Sequence, residues 1–241
     1  MLGLVAGDGE PLATETGAGV DAGRLPGQEG LWEYLWTRRS ELGRLTLRHL
    51  FLVGISLLAA ILVAVPLGLA LERRRGRAEP VIRGVGLLQT IPSIALLAFM
   101  IPLLGIGVVP AMVALFLYSL YPILRNTYTG VRDADPVAVD AARALGMTGR
   151  QRLRHVRLPL AAPFIMAGIR TAAVINIGTA TLAAFIGAGG LGDPIVSGLA
   201  LSDVRMILSG AIPAALLALV VDTLLGVVER RMSPKGVVIR T

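Results

Sequence analysis

The sequence predicts an all-α integral membrane protein with about five transmembrane helices. Apolar residues make up 54% of the 241 residues, charged residues make up 16%, and the mean hydropathy is +0.72. A soluble domain carries about a quarter charged residues, and a disordered chain needs low hydrophobicity, so both classes are excluded. The charges are also absent from long stretches of the chain, which predicts the positions of the membrane helices.

The charge-poor stretches are long enough for five spans of about 20 residues each. Residues 50–71 carry no charge over 22 positions, and residues 84–124 carry none over 41. The second stretch fits two spans, separated by the turn-rich break at residues 105–110. Residues 171–192 form the fourth span, although they end in glycines, and residues 206–228, with one internal acid, form the fifth.

The two ends of the chain differ from this apolar middle. Residues 1–30 are rich in glycine and acids, which predicts a disordered tail, and their first apolar run is too short for a secretory signal. Residues 31–49 place apolar and aromatic side chains at helical spacing, which predicts an interfacial amphipathic helix. A simple cap on the first span explains this spacing equally well. Residues 50–232 then form the transmembrane domain, and residues 233–241 form a cytoplasmic tail.

The distribution of basic residues predicts the orientation in the membrane. With five spans, the two ends of the chain face opposite sides. Seventeen of the 23 Lys and Arg residues fall on the side of the C-terminus, and six fall on the other. Because cytoplasmic loops carry the excess of positive charge, the chain is expected to run N-outside to C-inside.

The loop Arg125–Arg170, on the predicted cytoplasmic side, carries the most informative sequence. The pair Asp135-Pro136 is typical of a helix start, and Gly146 is typical of a helix end. A second amphipathic segment, Arg150–Leu158, is expected to end at Pro159 before the next membrane helix. Two short helices joined at a sharp angle would form a knob that can dock into a groove on a cytosolic partner.

The loop carries a motif with a defined spacing. It reads Asp140-Ala141-Ala142, three residues, Gly146, nine residues, and then Val-Arg-Leu-Pro at 156–159. This pattern resembles the EAA loop of ATP-binding cassette (ABC) importer permeases, which carries their coupling helix. Most members have Glu where this chain has Asp140, so the acid is kept on a shorter side chain. The five-span arrangement resembles the MetI-like permease fold, which implies a permease domain with its coupling loop at 131–163.

Three further motifs narrow the resemblance. They are Gln89-Thr-Ile-Pro-Ser93, Tyr121-Pro-Ile-Leu-Arg-Asn-Thr127 and Phe185-Ile-Gly-Ala-Gly-Gly-Leu-Gly192. These segments are similar to those of osmoprotectant permeases, which import glycine betaine, choline, carnitine or similar quaternary amines. The resemblance implies a multi-pass protein of the bacterial plasma (inner) membrane. Another small solute, such as an amino acid or an organic sulfonate, remains the alternative.

The resemblance also implies site residues and partners. The ATPase-coupling residues would be Asp140, Ala141, Ala142, Arg143, Gly146, Leu158 and Pro159. The substrate-pathway candidates come instead from the polar residues within the predicted spans, and they are Gln89, Thr90, Ser93, Asn176 and Thr179. For each of them helix packing is an equally good explanation. The implied partners are ATPase subunits that hold ATP and Mg, an extracytoplasmic solute-binding protein, a second permease copy or paralogue, and membrane lipid. No nucleic acid partner and no cofactor on this chain are expected.

Several other chemistries are excluded by the residues themselves. The chain has no cysteine, which excludes thiolate nucleophiles and cysteine-ligated metals. Its single lysine, Lys235, is not part of a phosphate-binding loop, so the chain is not the ATPase and no catalytic residues are assigned. The GxGxxG pattern at 187–192 follows a membrane segment rather than a strand, and His49 and His155 stand alone, so neither a dinucleotide site nor a metal site is expected.

Two functions of other classes, an ion-coupled carrier and a non-transporting assembly factor, are alternatives to an importer permease. An ion-coupled carrier needs intramembrane charge and usually an internal repeat. Asp222 is the one clear candidate for such a charge, no repeat occurs at matched spacing, and a structural pairing of Asp222 with Arg230 is at least as good an explanation. A non-transporting assembly factor would leave the EAA-like loop unexplained.

Overall fold

The computed structural model describes residues 30–232, which form helices and turns with no β-strand in that range. The α-helices are α1 (Leu31–Thr37), α2 (Arg39–Glu72), α3 (Arg75–Leu87), α4 (Ser93–Leu104), α5 (Val108–Arg132), α6 (Pro136–Ala144), α7 (Gly149–Arg152), α8 (Leu158–Leu182), α9 (Gly192–Leu201) and α10 (Val204–Met232). The predicted disordered tail, apart from residue 30, and the predicted tail at 233–241 lie outside the described residues.

The expectation of about five spans is confirmed, with one of the five broken. Four helices are long and apolar enough to cross a membrane: α2, α5, the continuous helix Gly149–Ile186 and α10. The helices Gly76–Thr90 and Ser93–Leu104 meet this test only together, and they are bent by 96°. The bend lies at Ile91, whose φ of −75° and ψ of 127° are extended, because the residue before a proline is pushed out of the helical region.

The fourth predicted span has different ends in the structure. Its helix starts at Gly149 and ends at Ile186, so the expected end at residue 192 is wrong. The expectation that Pro159 ends the preceding segment is wrong as well. A π-turn at Leu153–Arg157 ends two residues before this proline. The wider turn shifts the hydrogen-bond register where Pro159 lacks a donor, so the helix continues through it.

The predicted interfacial helix over residues 31–49 is divided in two. Arg38, with φ −97° and ψ 13°, separates the seven-residue α1 from α2. Residues 39–49 therefore belong to α2, whose 34 residues span about 51 Å at 1.5 Å per residue. This length exceeds the hydrocarbon thickness of about 30 Å, so α2 extends beyond the membrane at one or both ends.

The buried core forms where α5 packs between α2 and α8. Small residues set the distance between α5 and α8, since a Cβ added at Gly168 would lie 2.7 Å from the carbonyl oxygen of Pro122. A Cβ added at Gly130 would lie 2.6 Å from the Cβ of Phe164. Small residues at such crossings allow the close backbone packing on which membrane helices depend.

His49 fastens the glycine-rich segment at 187–191 to the rest of the bundle. Its Nδ1 accepts a hydrogen bond from the backbone N–H of Leu191 at 3.3 Å, so its Nε2 carries the proton and donates to the carbonyl oxygen of Ile177 at 3.1 Å. Beside it, Arg48 Nε donates to the carbonyl oxygen of Ala188 at 2.8 Å. This buried histidine therefore joins α2, α8 and the glycine-rich segment.

We expect a Gly192→Ala substitution to destabilise the protein. A Cβ at position 192 would overlap the carbonyl oxygen of Thr181, and a backbone atom cannot move aside as a flexible side chain can. Overpacking of this kind costs about 1–3 kcal/mol of folding free energy. The thermal unfolding midpoint in detergent measures the effect. Gly178→Ala is the matched control, because a Cβ there meets no atom within 4 Å, and an equal fall in both variants would contradict the packing argument.

Candidate functional site

The first candidate region is α6, and its two ends form as the sequence predicts. The side chain of Asp135 accepts a hydrogen bond from the N–H of Val137 at 2.9 Å, and Pro136 occupies the first turn, where its missing N–H costs nothing. Gly146 ends the helix in the left-handed region at φ +77°. A capping box between Thr148 and Gln151 then starts α7. The predicted helix start and end are both confirmed.

An apolar stripe on α6 faces outward. Val137 and Leu145 are 74% and 80% exposed, and the exposed Ala141 lies between them at four-residue spacing. Asp140 and Arg143, on the same helix, are exposed too. Residues four apart lie on one helix face, so α6 presents a stripe of apolar side chains flanked by charges. Exposed apolar side chains of this kind are typical of a docking surface.

The structure separates the seven predicted coupling residues into three groups. Asp140, Ala141, Arg143 and Gly146 are exposed on α6 or at its end. Ala142 is 4% exposed and points inward, so it packs beneath the helix rather than forming its outer surface.

Leu158 and Pro159 make up the third group. They begin α8 and line an apolar groove against Val65 and Leu69 of α2. The sequence reasoning missed Val137, which the spacing of 137, 141 and 145 could have revealed.

The second candidate region is the bend between α3 and α4. The predicted pathway residues Gln89, Thr90 and Ser93 lie together there. The side chains of Gln89 and Thr90 form hydrogen bonds with backbone carbonyl oxygens. Gln89 Nε2 donates to the carbonyl oxygen of Tyr118 on α5 at 2.8 Å, and Thr90 Oγ1 donates to that of Leu87 at 2.7 Å. The hydroxyl of Tyr118 donates in turn to the carbonyl oxygen of Ile91. Tyr118 therefore holds the bend against α5, a role that the sequence reasoning missed.

The other two pathway candidates lie inside the bundle. Asn176 is fully buried and donates from Nδ2 to Ser119 Oγ at 2.7 Å, and Thr179, one turn later, is 8% exposed. The Oδ1 atom of Asn176 is buried without a hydrogen-bond partner among the described residues. Ser119 follows Tyr118 on α5, so the hydrogen bonds that hold the bend and α8 start from neighbouring residues of this helix.

Replacing Tyr118 by Phe should loosen the bend. The substitution leaves the carbonyl oxygen of Ile91 without its donor, and one such hydrogen bond contributes about 1 kcal/mol to stability. We expect the unfolding midpoint to fall by about 2–4 °C, measured on the detergent-solubilised protein. Tyr121→Phe is the matched control, since no described residue bonds to the Tyr121 hydroxyl. A larger fall for that control would contradict the role given to Tyr118.

The ion-pair partner of Asp222 is not Arg230, the residue considered in the sequence analysis. Arg170, counted above as the end of the loop, lies within α8 and forms two hydrogen bonds with Asp222 at 2.5 and 2.7 Å. It forms a third with Glu229 at 3.2 Å. Asp222 is therefore paired with Arg170 rather than with Arg230. The ionic contacts among Arg170, Asp222 and Glu229 join α8 to α10, and a cavity of about 370 Å³ lies beside these three side chains.

A family model matches residues 47–234 of the chain, with the description "Binding-protein-dependent transport system inner membrane component". Two similar relatives align with this chain over nearly their whole lengths. The "Glycine betaine/carnitine/choline transport system permease protein OpuCB" of Bacillus subtilis is 51% identical over 203 residues, which are 84% of this chain and 94% of that protein. The "Osmoprotectant import permease protein OsmW" of Salmonella typhimurium is 47% identical over 209 residues, covering 85% and 97%.

Solved structures show the same fold at low sequence identity. The inward-facing MetNI methionine ABC transporter aligns with a TM-score of 0.70 and 22% identity, over 80% of this chain and 96% of that one. An amino acid ABC transporter with histidines aligns with a TM-score of 0.69 and 17% identity, over 82% and 97%. The MetI-like fold expected from the sequence is confirmed.

Proposed function

Because this chain belongs to the family of binding-protein-dependent transport system inner membrane components, we propose that it is the permease subunit of an ABC importer for quaternary amine osmoprotectants. The family places it in the inner membrane as a multi-pass protein, in keeping with its long apolar helices. The single observation that carries the coupling mechanism is the outward apolar stripe of α6, because an exposed apolar surface on a loop needs a partner to cover it.

In this proposal, α6 is the coupling helix and enters a groove on a separate ATPase subunit. Val137, Ala141 and Leu145 supply the buried centre of the contact, and Asp140 and Arg143 supply its charged rim. The ATPase holds ATP and Mg, and this chain catalyses no reaction. The side of the membrane that carries α6 is then the cytoplasm, with the N-terminus outside.

The fold offers a route from α6 to the membrane helices. α6 contacts the π-turn Leu153–Arg157, which is continuous with α8, and α8 carries Asn176 and Thr179 at its contact with α5. When ATP closes the ATPase subunits, a displaced α6 would push on the π-turn and move α8 relative to α5. Such a movement would expose the pathway to the other side of the membrane, as alternating access requires.

The identity of the solute is supported by the two relatives, each of which matches over nearly its whole length. Their names specify glycine betaine, carnitine, choline and osmoprotectants. We propose that Gln89, Thr90 and Ser93 at the bend, with Asn176 and Thr179 on α8, border the path of such a solute. An extracytoplasmic binding protein would deliver it, and a second permease copy or paralogue would complete the path.

Neither alternative function gains support from the site. The solved structures include transporters of amino acids, but at 22% and 17% identity they bear on the fold alone. An ion-coupled carrier would need a titratable charge free to bind its ion, whereas Asp222 is held by Arg170 through two hydrogen bonds.

Co-purification of the ATPase tests the coupling surface. The tagged full-length chain, purified from native membranes, should retain an ABC ATPase, and Leu145→Asp should remove it. A charge buried in an apolar contact costs at least about 2 kcal/mol, which is roughly a thirtyfold loss of affinity. Leu201→Asp is the matched control, because Leu201 is 72% exposed on α9, away from the loop. Full retention by Leu145→Asp would reject α6 as the docking helix.

A further inference from the structure

An apolar groove lies between α2 and α8 next to the π-turn. It has a volume of about 380 Å³, and its walls include Val65 and Leu69 of α2 and Leu158 and Ala162 of α8. Among residues 30–232, Arg154 is the one charged residue that borders it. Because this groove opens between two membrane helices, it faces the region that lipid chains occupy.

A cationic cavity lies next to this groove, toward the coupling loop. It has a volume of about 660 Å³ and is lined by Glu72, Arg73, Gly149, Arg150, Arg152, Leu153 and Arg157. At the end of α2, Glu72 and the following Arg73 lie about one turn beyond Leu69, and on the opposite wall Arg150 precedes Arg154 by about one turn. The apolar groove and the cationic cavity are therefore successive sections of one cleft.

Three of the arginines that line the cleft have no carboxylate partner within residues 30–232. Arg157 forms an ion pair with Glu72, and Arg152 donates from Nη1 to the carbonyl oxygen of Met147 at 2.7 Å. Within residues 30–232, no carboxylate forms an ion pair with Arg73, Arg150 or Arg154, and all three are exposed. The cleft thus combines an apolar section with three free guanidinium groups at one end.

We propose that this cleft binds one anionic phospholipid, with an acyl chain in the groove and the phosphate against Arg73, Arg150 and Arg154. Guanidinium groups bind phosphate through paired, charge-assisted hydrogen bonds. Basic pockets between membrane helices on the cytoplasmic side suit anionic headgroups. The occupant must satisfy both sections, since a free phosphate would leave the groove empty and an apolar segment would leave the arginines unpaired.

The position of the lipid gives it a structural consequence. The groove and the cavity both border the π-turn Leu153–Arg157, which connects the coupling loop to α8: Arg154 lines the groove, and Leu153 and Arg157 line the cavity. A lipid in the cleft would join the end of α2 to this turn. It would therefore stabilise the same connection through which α6 is proposed to move α8.

Native mass spectrometry of the full-length chain tests the proposal. The protein in detergent is incubated with phosphatidylglycerol, with phosphatidylcholine of identical acyl chains, or with inorganic phosphate. It is then released from the detergent for measurement. It should retain one phosphatidylglycerol in preference to phosphatidylcholine, and inorganic phosphate should not displace it. Arg150→Gln should lower this retention roughly fivefold, the effect of one arginine near a charged headgroup. Arg132→Gln, at the exposed end of α5 outside the cleft, is the matched control and should retain the lipid.

A second variant tests the apolar section separately. Ala162→Phe should fill the groove and lower the retention of phosphatidylglycerol while leaving all the arginines in place. Equal retention of the two lipids, displacement by inorganic phosphate, or no effect of Ala162→Phe would overturn the proposal. Loss of the lipid when the ATPase is added would assign the cavity to the ATPase interface instead. A gain in lipid on removal of residues 233–241, which follow Met232 in the groove wall, would assign the groove to that segment.

Discussion

A Gly146→Asp substitution should abolish ATP-driven solute uptake and leave the chain inserted in the membrane. Gly146 ends α6 at φ +77°, a left-handed conformation that strains a residue with a side chain, although Asp less than most. The new carboxylate would also lie next to Leu145, at the surface proposed to enter the ATPase. Because a Cβ at 146 meets no atom within 4 Å, the transmembrane core is not disturbed.

Uptake and insertion can be measured separately for this variant. Uptake is followed in proteoliposomes, and insertion is followed with single introduced cysteines, which report cleanly because the chain has none of its own. Gly43→Asp is the matched control, since it adds the same charge at an exposed glycine of α2 with free space around it. Normal uptake by Gly146→Asp would disprove the role of the α6 end in coupling.

An Arg170→Gln substitution should cause a several-fold loss of folded protein in the membrane. Arg170 forms hydrogen bonds with Asp222 and Glu229 on α10, so its removal leaves two carboxylates without their cation. Unpaired acids between membrane helices are costly. The measurement is the yield of monodisperse protein in detergent, compared with the wild type.

A double variant distinguishes structural pairing from ion coupling. Arg170→Gln with Asp222→Asn removes the cation and one of its acids together, so it should recover yield relative to Arg170→Gln alone. Reconstituted with its partners, it should still transport on ATP, and uptake should not respond to an imposed proton or sodium gradient. Asp222 belongs to an ion-coupled mechanism instead if two results are found together. The double variant would fold well but not transport, and uptake by the wild type would respond to an imposed proton or sodium gradient.

The sequence predicted features that depend on local rules. Charge-free stretches set the approximate positions of the spans, because the hydrocarbon excludes charge wherever the helix packs. The start of α6 at Asp135 and its end at Gly146 follow from capping and from the left-handed conformation, which involve only a few neighbouring residues. These predictions needed no knowledge of the partners across the bundle.

Features that depend on distant contacts were not predicted. The pairing of Arg170 with Asp222 joins residues 52 positions apart, and Tyr118 reaches Ile91 across a turn that folds α4 back on α5. Pro159 failed as a helix end because the π-turn before it accommodates the missing donor, and no single residue of Leu153–Arg157 signals that turn. The burial of Ala142 was likewise not predicted, because it depends on the residues that pack beneath α6.

Uptake of labelled glycine betaine into proteoliposomes tests the central claim most directly. The vesicles would contain this chain, its ATPase and its binding protein. ATP would be supplied to, or left out of, the compartment that the ATPase faces. We expect accumulation that requires ATP, the ATPase and the binding protein, with choline or carnitine as competitors. Accumulation of glycine betaine without ATP, or ATP-driven uptake of an amino acid with none of glycine betaine, would contradict it.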